Sequence, residues 1–525
     1  MKRSHSKMKT GILWIFFILV VFYSIEYTQP RYSLFQDSHD KAVQTYSIWQ
    51  NHFLSDNLYY PAKAFDPNLE FFHLAKNLYI KTNEKLVSAF PIQFAYLLAP
   101  FLFVLPISFL PYTSLLFLLL TFFFLKRYYH FSLLLITISF FGTFLWPLSW
   151  EYSELPAIFA FSTIALYPFL KKGSSVSFQL ISGVFLAWII IVRLDTLPFF
   201  GIFFLSHLYF YLKRNGFQQL QSYLKSYSAF LLSTIVFLIL YLSINQSLYG
   251  HFLGTRFLAN SSGFSAGFSK RLQWFLSLLF YSNRKIGFFG YLPFAFILFT
   301  VYWYKYKTIS DSKKILLIAT SLTLLIIPFI APNDGFNNWG PRFYTILIFP
   351  YLYLLKPFFG YYYQKRKKLF FSFLLTFGLF TFSLGILGAK LQKSKTNLEK
   401  KFAPILTEVK PDILVLQDYL NFYTCGSYYF DHIVIVSYTT DLNSKLLNRI
   451  LTTNPNSKIA FITWNPVLFS KEMKEAINED KRKSGYPISE WEEGKLETQM
   501  RLITSDFQIL DRQTYRIWTG TVKSK

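Results

Sequence analysis

GILWIFFILVVFY, residues Gly11 to Tyr23, decides the class of this chain. Lys2, Arg3, Lys7 and Lys9 precede it, and Glu26, Tyr27 and Pro30 follow in place of a small-x-small cleavage site. A basic flank, an apolar run and no cleavage signal read as an uncleaved signal anchor with the N-terminus inside. Fixing that first crossing assigns a side to every later loop.

The rest of the chain follows the same pattern. Of 525 residues, 53% are hydrophobic and only 15% charged, too few charges for soluble domains of this size. Apolar runs recur at lengths that cross about 30 Å of hydrocarbon. They predict crossings at 10–27, 109–125, 131–149, 155–170, 176–192, 196–212, 227–244, 286–304, 315–331, 343–357 and 369–388, eleven in all. Residues 90–108 are also apolar, but Pro91, Pro100 and Pro106 interrupt them. Counting them as a span would reverse every later loop, so they read as an interfacial or re-entrant helix within a first outer loop, 28–108.

The charges then separate by side. Inner loops carry Lys126-Arg127, Lys171-Lys172, Lys213-Arg214, Lys305 with Lys307, and Lys365 to Lys368. Twelve acidic residues precede Ala389, and all but Asp311 fall on the outer side. The net charge of +25 is therefore a positive-inside signature, not a phosphate-tracking stripe, and no nucleic-acid partner is expected. The lone Cys425 allows no disulfide within the chain and no cysteine-based metal site.

After Ala389 the composition changes. The tail holds twenty basic and sixteen acidic residues and no spanning run. Strand-like stretches at 413–416, 433–437 and 459–463 alternate with helical ones at 442–451 and 471–483, which predicts a small α/β domain with a mostly parallel sheet. The expected fold is thus an all-α polytopic membrane domain, 1–388, and an extracytoplasmic α/β domain, 389–525.

Chemistry is expected where charge is placed against its cost. Asp37 and Asp40 open the first outer loop, three residues apart and on one helical face, so one could deprotonate an acceptor. A solvated cluster at a helix start is the plainer reading. Glu151 and Glu154 lie where one span ends and the next begins. Carboxylates there are costly unless they face a cavity or partner, although Glu154 could simply cap the following helix. Arg193 sits at an outer span end, against the positive-inside bias; it could bind a lipid phosphate or pair with Asp195. The segment from Asn333 to Tyr344 combines a Gly-Pro turn with Trp339 and Arg342, while Trp339 and Tyr344 could be interfacial anchors. Tyr249, His251 and Arg256 are candidate substrate contacts. His251 lacks a second His or Cys nearby, so no metal ligand is assigned. The Gly/Ser-rich outer stretch 245–285 is a candidate lid.

Taken in order, these motifs resemble the GT-C superfamily of membrane glycosyltransferases, which includes protein O-mannosyltransferases and aminoarabinose transferases. The resemblance covers residues 10–388. It comprises the early acidic motif Asp37 to Asp40, the proline-marked Phe90-Pro91-Ile92-Gln93, Trp150 to Glu154, Arg193 with Asp195, and Gly340 to Tyr344. The run DSHDKAVQTYSIWQ is similar to spirochaete glycosyltransferases of this type. The resemblance implies a sugar carried on a polyprenyl phosphate and an envelope acceptor. It implies Asp40 as the base with Asp37 as alternate, and Arg342 and Arg193 as phosphate contacts. Glu151 or Glu154 would meet the acceptor or orient the base. Two acids directly adjacent, as the family's motif has them, are not found here, since Ser38 and His39 intervene, and no His/Glu metal set stands out; a divalent metal remains open. The implied location is a bacterial inner membrane with the C-terminus periplasmic. Two rivals differ in what they predict. An O-antigen polymerase or ligase would place its large outer loop late in the chain. A transporter or flippase would place ionisable residues deep within broken spans.

Overall fold

The computed structural model describes residues 2–524 except 74–77, 83–84, 172–173, 261–266, 283–284, 334, 336–339, 466–474, 476–477, 480–487 and 490. The chain is mostly helical and divides into two units. The first comprises Met1–Pro30, Ala89–Leu98 and Leu110–Lys393, and the second Arg31–Ser88, Ala99–Phe109 and Ser394–Lys525. Sequence alone placed all of 28–108 with the membrane helices. By packing, most of it belongs with the tail.

In the first unit the opening apolar run lies in the helix Lys2–Thr28. Five helices of the described chain are long and apolar enough to cross a membrane: Ile107–Tyr128, Ser228–Tyr249, Asp311–Ile330, Arg342–Lys365 and Lys367–Val409. The pair Val176–Val192 and Leu194–Asn215, bent by 117°, raises the number to six if taken as one span. The eleven crossings expected are not all matched by helices of this length: 131–149, 155–170 and 286–304 are each divided, 176–192 and 196–212 fall in the bent pair, and the opening helix is not among the five. Leu133–Phe141 stops at Gly142, before the short helix Leu145–Leu148. Leu155–Ala165 gives way to Tyr167–Leu170, with Pro168 near its start, and Phe288–Tyr291 precedes a helix opened by Pro293. Proline lacks the N–H that would continue a preceding helix. The 11 residues of Leu155–Ala165 reach only about 17 Å at 1.5 Å per residue.

Residues 90–108 are likewise short pieces: a helix Ile92–Leu98 and 3₁₀ turns Ala99–Phe103 and Ile107–Phe109. The stretch 245–285 is largely helical, through Gly254–Asn260 and Phe268–Leu279, where the sequence suggested a loop. The helix Ser228–Tyr249 leaves Leu232, Ile235, Val236 and Ile239 half or more exposed. At about 25 cal/mol per Å² such a face would be costly in water, and hydrocarbon removes that cost. Its other face packs on Val176–Val192 at Gly183, where a Cβ would stand 2.1 Å from Ser233 Oγ. Small residues permit this close helix approach.

The first unit also holds a two-stranded hairpin, β3 (Tyr281–Ser282) and β4 (Lys285–Ile286). The second holds the hairpin β1 (Tyr79–Thr82) and β2 (Lys85–Ser88). Its main sheet comprises β5 (Ile413–Leu416), β6 (Ile433–Val436), β7 (Lys458–Trp464), β8 (Thr504–Asp511) and β9 (Tyr515–Val522), in the order β6-β5-β7-β9-β8. The strands β6, β5 and β7 are parallel, as their apolar runs predict, and β7, β9 and β8 are antiparallel. The sheet is therefore mixed. Of the two expected helices, 442–451 lies within Thr440–Thr453, and 471–483 falls almost entirely outside the described residues.

The first-loop segment is an integral part of this unit. Asp66 is fully buried and accepts from Tyr60 Oη at 2.9 Å and from the backbone N–H of Glu70 and Phe71 at 2.7 and 2.8 Å. Arg449 reaches the Phe65 carbonyl and the Glu70 carboxylate. The Val436 N–H donates to the Phe71 carbonyl at 3.3 Å, satisfying an exposed edge of β6.

Candidate functional site

A cluster of largely buried charge in the first unit gathers at the helix break. Arg193 caps the C-terminus of Val176–Val192, donating its N–H to the Ile189 carbonyl, and the 3₁₀ turn Leu194–Thr196 redirects the chain. Thr196 Oγ1 donates back to the Arg193 carbonyl at 2.7 Å and fixes the turn. The side chain, 7% exposed, is held in a fork by Asp195: Nε to Oδ1 at 2.8 Å and Nη2 to Oδ2 at 2.9 Å. Nη1 donates to Glu154 Oε1 at 3.2 Å. Both alternatives weighed for Glu154 thus find a reason: it is the N-cap residue of Leu155–Ala165 by position, without a side-chain capping bond, and its carboxylate serves an ion pair. The three groups together carry one net negative charge.

Arg342 supplies a second guanidinium. Gly340 adopts φ +74°, a conformation that favours glycine, and a Cβ there would lie 2.9 Å from Phe144 Cβ. Pro341 then opens the 3₁₀ helix Arg342–Leu347. The guanidinium carbons of Arg193 and Arg342 lie 5.2 and 5.5 Å from the centre of the Phe343 ring, within cation–π range. With Arg342 the cluster is charge-balanced. Tyr344 is fully buried, its hydroxyl donating to the Leu324 carbonyl at 3.0 Å, so it is a packing residue and not an interfacial anchor. Trp339 lies outside the described residues.

The segment carrying Glu151 is fixed through its backbone. Ser114 Oγ donates to the Glu151 carbonyl at 2.6 Å, and Gln392 Nε2 to the Trp150 carbonyl at 3.3 Å. Trp150 and Tyr152 are fully buried. Tyr249 ends its helix, and Gly250, at φ +67°, forms the left-handed cap. Downstream, the His251 ring stacks between Phe252 and Phe257, and its Nδ1 accepts from the Leu253 N–H, a turn-forming role. Arg256 lies 5.0 Å over Phe90, and Thr255 Oγ1 donates to the Phe90 carbonyl. These contacts tie the proline-marked segment to 245–260.

Asp37 and Asp40 belong to the second unit. They occupy the first turn of Asp37–Gln50, on one face as their spacing predicts. Their surroundings differ. Asp37 is half-buried, whereas Asp40 is 1% exposed and accepts from Tyr423 Oη at 3.0 Å. Burial pushes the Asp40 carboxyl above the usual range, against the opposing pull of His39 and Tyr423. His39 Nδ1 is 4.0 Å from Asp40 Oδ1, beyond hydrogen-bond reach. Beside it His73 stacks on Phe422, centroids 4.1 Å apart, and burial pushes its imidazole well below its ordinary value. Neither imidazole has a hydrogen-bond partner among the described residues. This aromatic box escaped sequence reasoning because His73, Phe422 and Tyr423 show no motif. Among the described residues no group of three His, Cys, Asp or Glu side chains is placed to hold a metal ion. No protein-family model, curated protein or solved structure matches the chain, and the meaning of the site rests on its geometry.

Proposed function

We propose that this chain is a membrane glycosyltransferase that moves a sugar from a polyprenyl-phosphate carrier to an envelope acceptor (lipid, glycan or protein) at the periplasmic face of a bacterial inner membrane. One observation carries the reading: Arg193, Glu154, Asp195 and Arg342 converge at a helix break inside an apolar helical unit. Buried charge in such a setting is costly and marks a functional site by default. Basic residues at other helix ends, Lys126-Arg127 and Lys213-Arg214, support the assigned sidedness.

In this reading an acceptor oxygen or nitrogen attacks the sugar C1. The C1–O bond to phosphate breaks with both electrons leaving on the phosphate oxygen, and configuration inverts. Arg342 stabilises the charge that develops there. Arg193 uses three of its five N–H groups in ion pairs among the described residues, so it acts chiefly as a positioning residue beside Phe343. The acceptor proton passes to a carboxylate, which the resemblance assigns to Asp40 or Asp37. Asp37 is the less enclosed of the two and so the more accessible to an acceptor.

A second reading, a lipid-linked-sugar transporter, draws support from the 117° bend and the divided helices, since transporters place their sites at broken helices. Proteoliposomes loaded with a fluorescent polyprenyl-phosphate sugar and total envelope acceptors separate the two. Sugar appearing on acceptor, with loss in Arg342→Ala, supports transfer. Lipid crossing the bilayer with its sugar still attached supports transport and removes the transferase reading.

A further inference from the structure

The second unit contains an open groove of about 870 Å³, within the ~300–1,000 Å³ range of ligand-sized sites. Its walls come from two distant stretches of chain. Tyr59 comes from the first-loop segment. Thr407, Lys410 and Asp412 follow one another at the end of the helix Leu379–Val409 and into β5, and Tyr428, Asp431 and His432 precede β6. A neighbouring depression of about 500 Å³ is lined by Tyr32, Lys400 and Glu408. Thr407 borders both, so the two depressions adjoin at the end of this helix.

The chemistry of the walls is specific. The Tyr428 and His432 rings lie 5.7 Å apart, tilted by 49°, and both are partly exposed. Tyr59 is partly exposed as well, and after burial itself the Asp431 carboxylate is what pushes its phenol up, which places that carboxylate close by. The Asp431 carboxylate is solvent-exposed and makes no ion pair or hydrogen bond among the described residues. Asp412 spends one oxygen on the Lys458 N–H at 2.8 Å. Lys410 is exposed and adopts φ +47°, a left-handed conformation usually left to Gly or Asn at a helix end. A lysine held there against its backbone preference directs attention to its side chain.

We infer that this cleft binds a glycan chain. Aromatic faces receive the C–H faces of pyranose rings, while carboxylates and ammonium groups take the hydroxyls. Both signs of charge line the cleft, which disfavours a purely anionic ligand. A cationic peptide would suit the carboxylates but gives Lys400 and Lys410 no role. Tyr32 in one depression and Tyr59 and Tyr428 in the adjoining one offer stacking faces for more than one sugar unit. As the acceptor site of a transferase the cleft rests on the function proposed above; as a glycan-binding cleft it does not.

The test uses the full chain in lipid nanodiscs with no donor lipid present, so its outcome is independent of transfer. Cellotetraose, chitotetraose, maltotetraose and a mannotetraose are titrated, each beside its disaccharide and monosaccharide, together with a hexalysine peptide. At least one tetrasaccharide binds saturably and about tenfold or more tighter than its monosaccharide. Tyr428→Ala and Asp431→Asn each weaken it severalfold with unchanged thermal unfolding, while Tyr32→Ala weakens the tetrasaccharide but not the matching disaccharide. Absence of saturable binding by every sugar overturns the inference. So does binding indifferent to Tyr428 and Asp431, or capture of hexalysine in place of the sugars. Sugar binding that survives in a chain inactive for transfer would retain the cleft and remove the transferase reading.

Discussion

Arg193 holds Asp195, two positions further along the chain, through two parallel bonds, 2.8 and 2.9 Å long, at the point where two helices turn through 117°. Glu154, 39 residues earlier, takes a third bond from the same guanidinium. One cation therefore serves a buried carboxylate, Glu154, and a partly buried one, Asp195, and the partners are not energetically equivalent. Removing Arg193 takes a shared cation from both carboxylates, whereas removing either carboxylate charge leaves the other ion pair intact.

Arg193→Met should accordingly cost about 3–5 kcal/mol, the range for orphaning a buried charge. Asp195→Asn and Glu154→Gln should each cost less than half of that. Thermal unfolding in detergent, with the three single variants and the Arg193→Met/Asp195→Asn double, measures both the order and the coupling. Equal losses for all three, or strict additivity in the double variant, would contradict a shared cation.

How much of this was readable beforehand depends on sequence distance. The parallel strands β5, β6 and β7 stand out as apolar runs because both their faces are covered. The strand β8, TSDFQILD, is mostly exposed at the sheet edge and offers no such run. The polarity of 31–88 reads as a loop because its partners lie far along the chain: Tyr423, which bonds Asp40, is 383 residues away. Arg193 with Asp195 was legible because only Leu194 separates them. Its link to Glu154 was not, because only the fold supplies it.

The close helix contact at Gly183 gives a second outcome. Besides Ser233 Oγ, a Cβ there would meet the Phe230 carbonyl oxygen at 2.5 Å and Thr234 Oγ1 at 2.9 Å, and Thr234 Oγ1 donates to the Gly183 carbonyl at 3.3 Å. Gly183→Leu should force Val176–Val192 from Ser228–Tyr249 and cost about 1–3 kcal/mol or more, as overpacking does. Gly201, with open space around it, is the control, and Gly201→Leu should be nearly silent. A disulfide engineered across the two helices should form in the wild type and fail in Gly183→Leu only.

The aromatic box makes the second unit sensitive to pH in two directions. Burial lifts the Asp40 carboxyl, so the folded state favours its neutral form, and the favourable contribution present below about pH 3.8 is lost as pH rises through the lifted value. Burial depresses His73, so its contribution is present above about pH 6.5 and is lost as pH falls towards the depressed value, because the unfolded chain takes up the proton first. His73→Phe, which preserves the stack on Phe422, should flatten the acid limb of stability without weakening the unit at pH 8. Urea unfolding followed by tryptophan fluorescence between pH 4 and 8 reads this directly. An acid limb as steep in the variant as in the wild type would assign the sensitivity elsewhere.

Asp40→Asn and Asp37→Asn distinguish a structural carboxyl from a chemical one. An amide at position 40 can still accept from the Tyr423 hydroxyl and removes the burial penalty on a charged carboxylate, so the variant should be as stable as the wild type or more so at pH 7. Asp37 lies half-buried on the same turn, where Asn is nearly isosteric. Loss of a general base costs on the order of 10²–10⁴-fold in rate. Transfer from a labelled polyprenyl-phosphate sugar should therefore fall by at least about 10²-fold in Asp37→Asn and only a few-fold in Asp40→Asn. The reverse order, with both variants folded, would return the base to Asp40 and require its carboxyl to be exposed during turnover. Two fully active variants would take proton removal away from this helix and leave Glu151 as the next carboxylate to test.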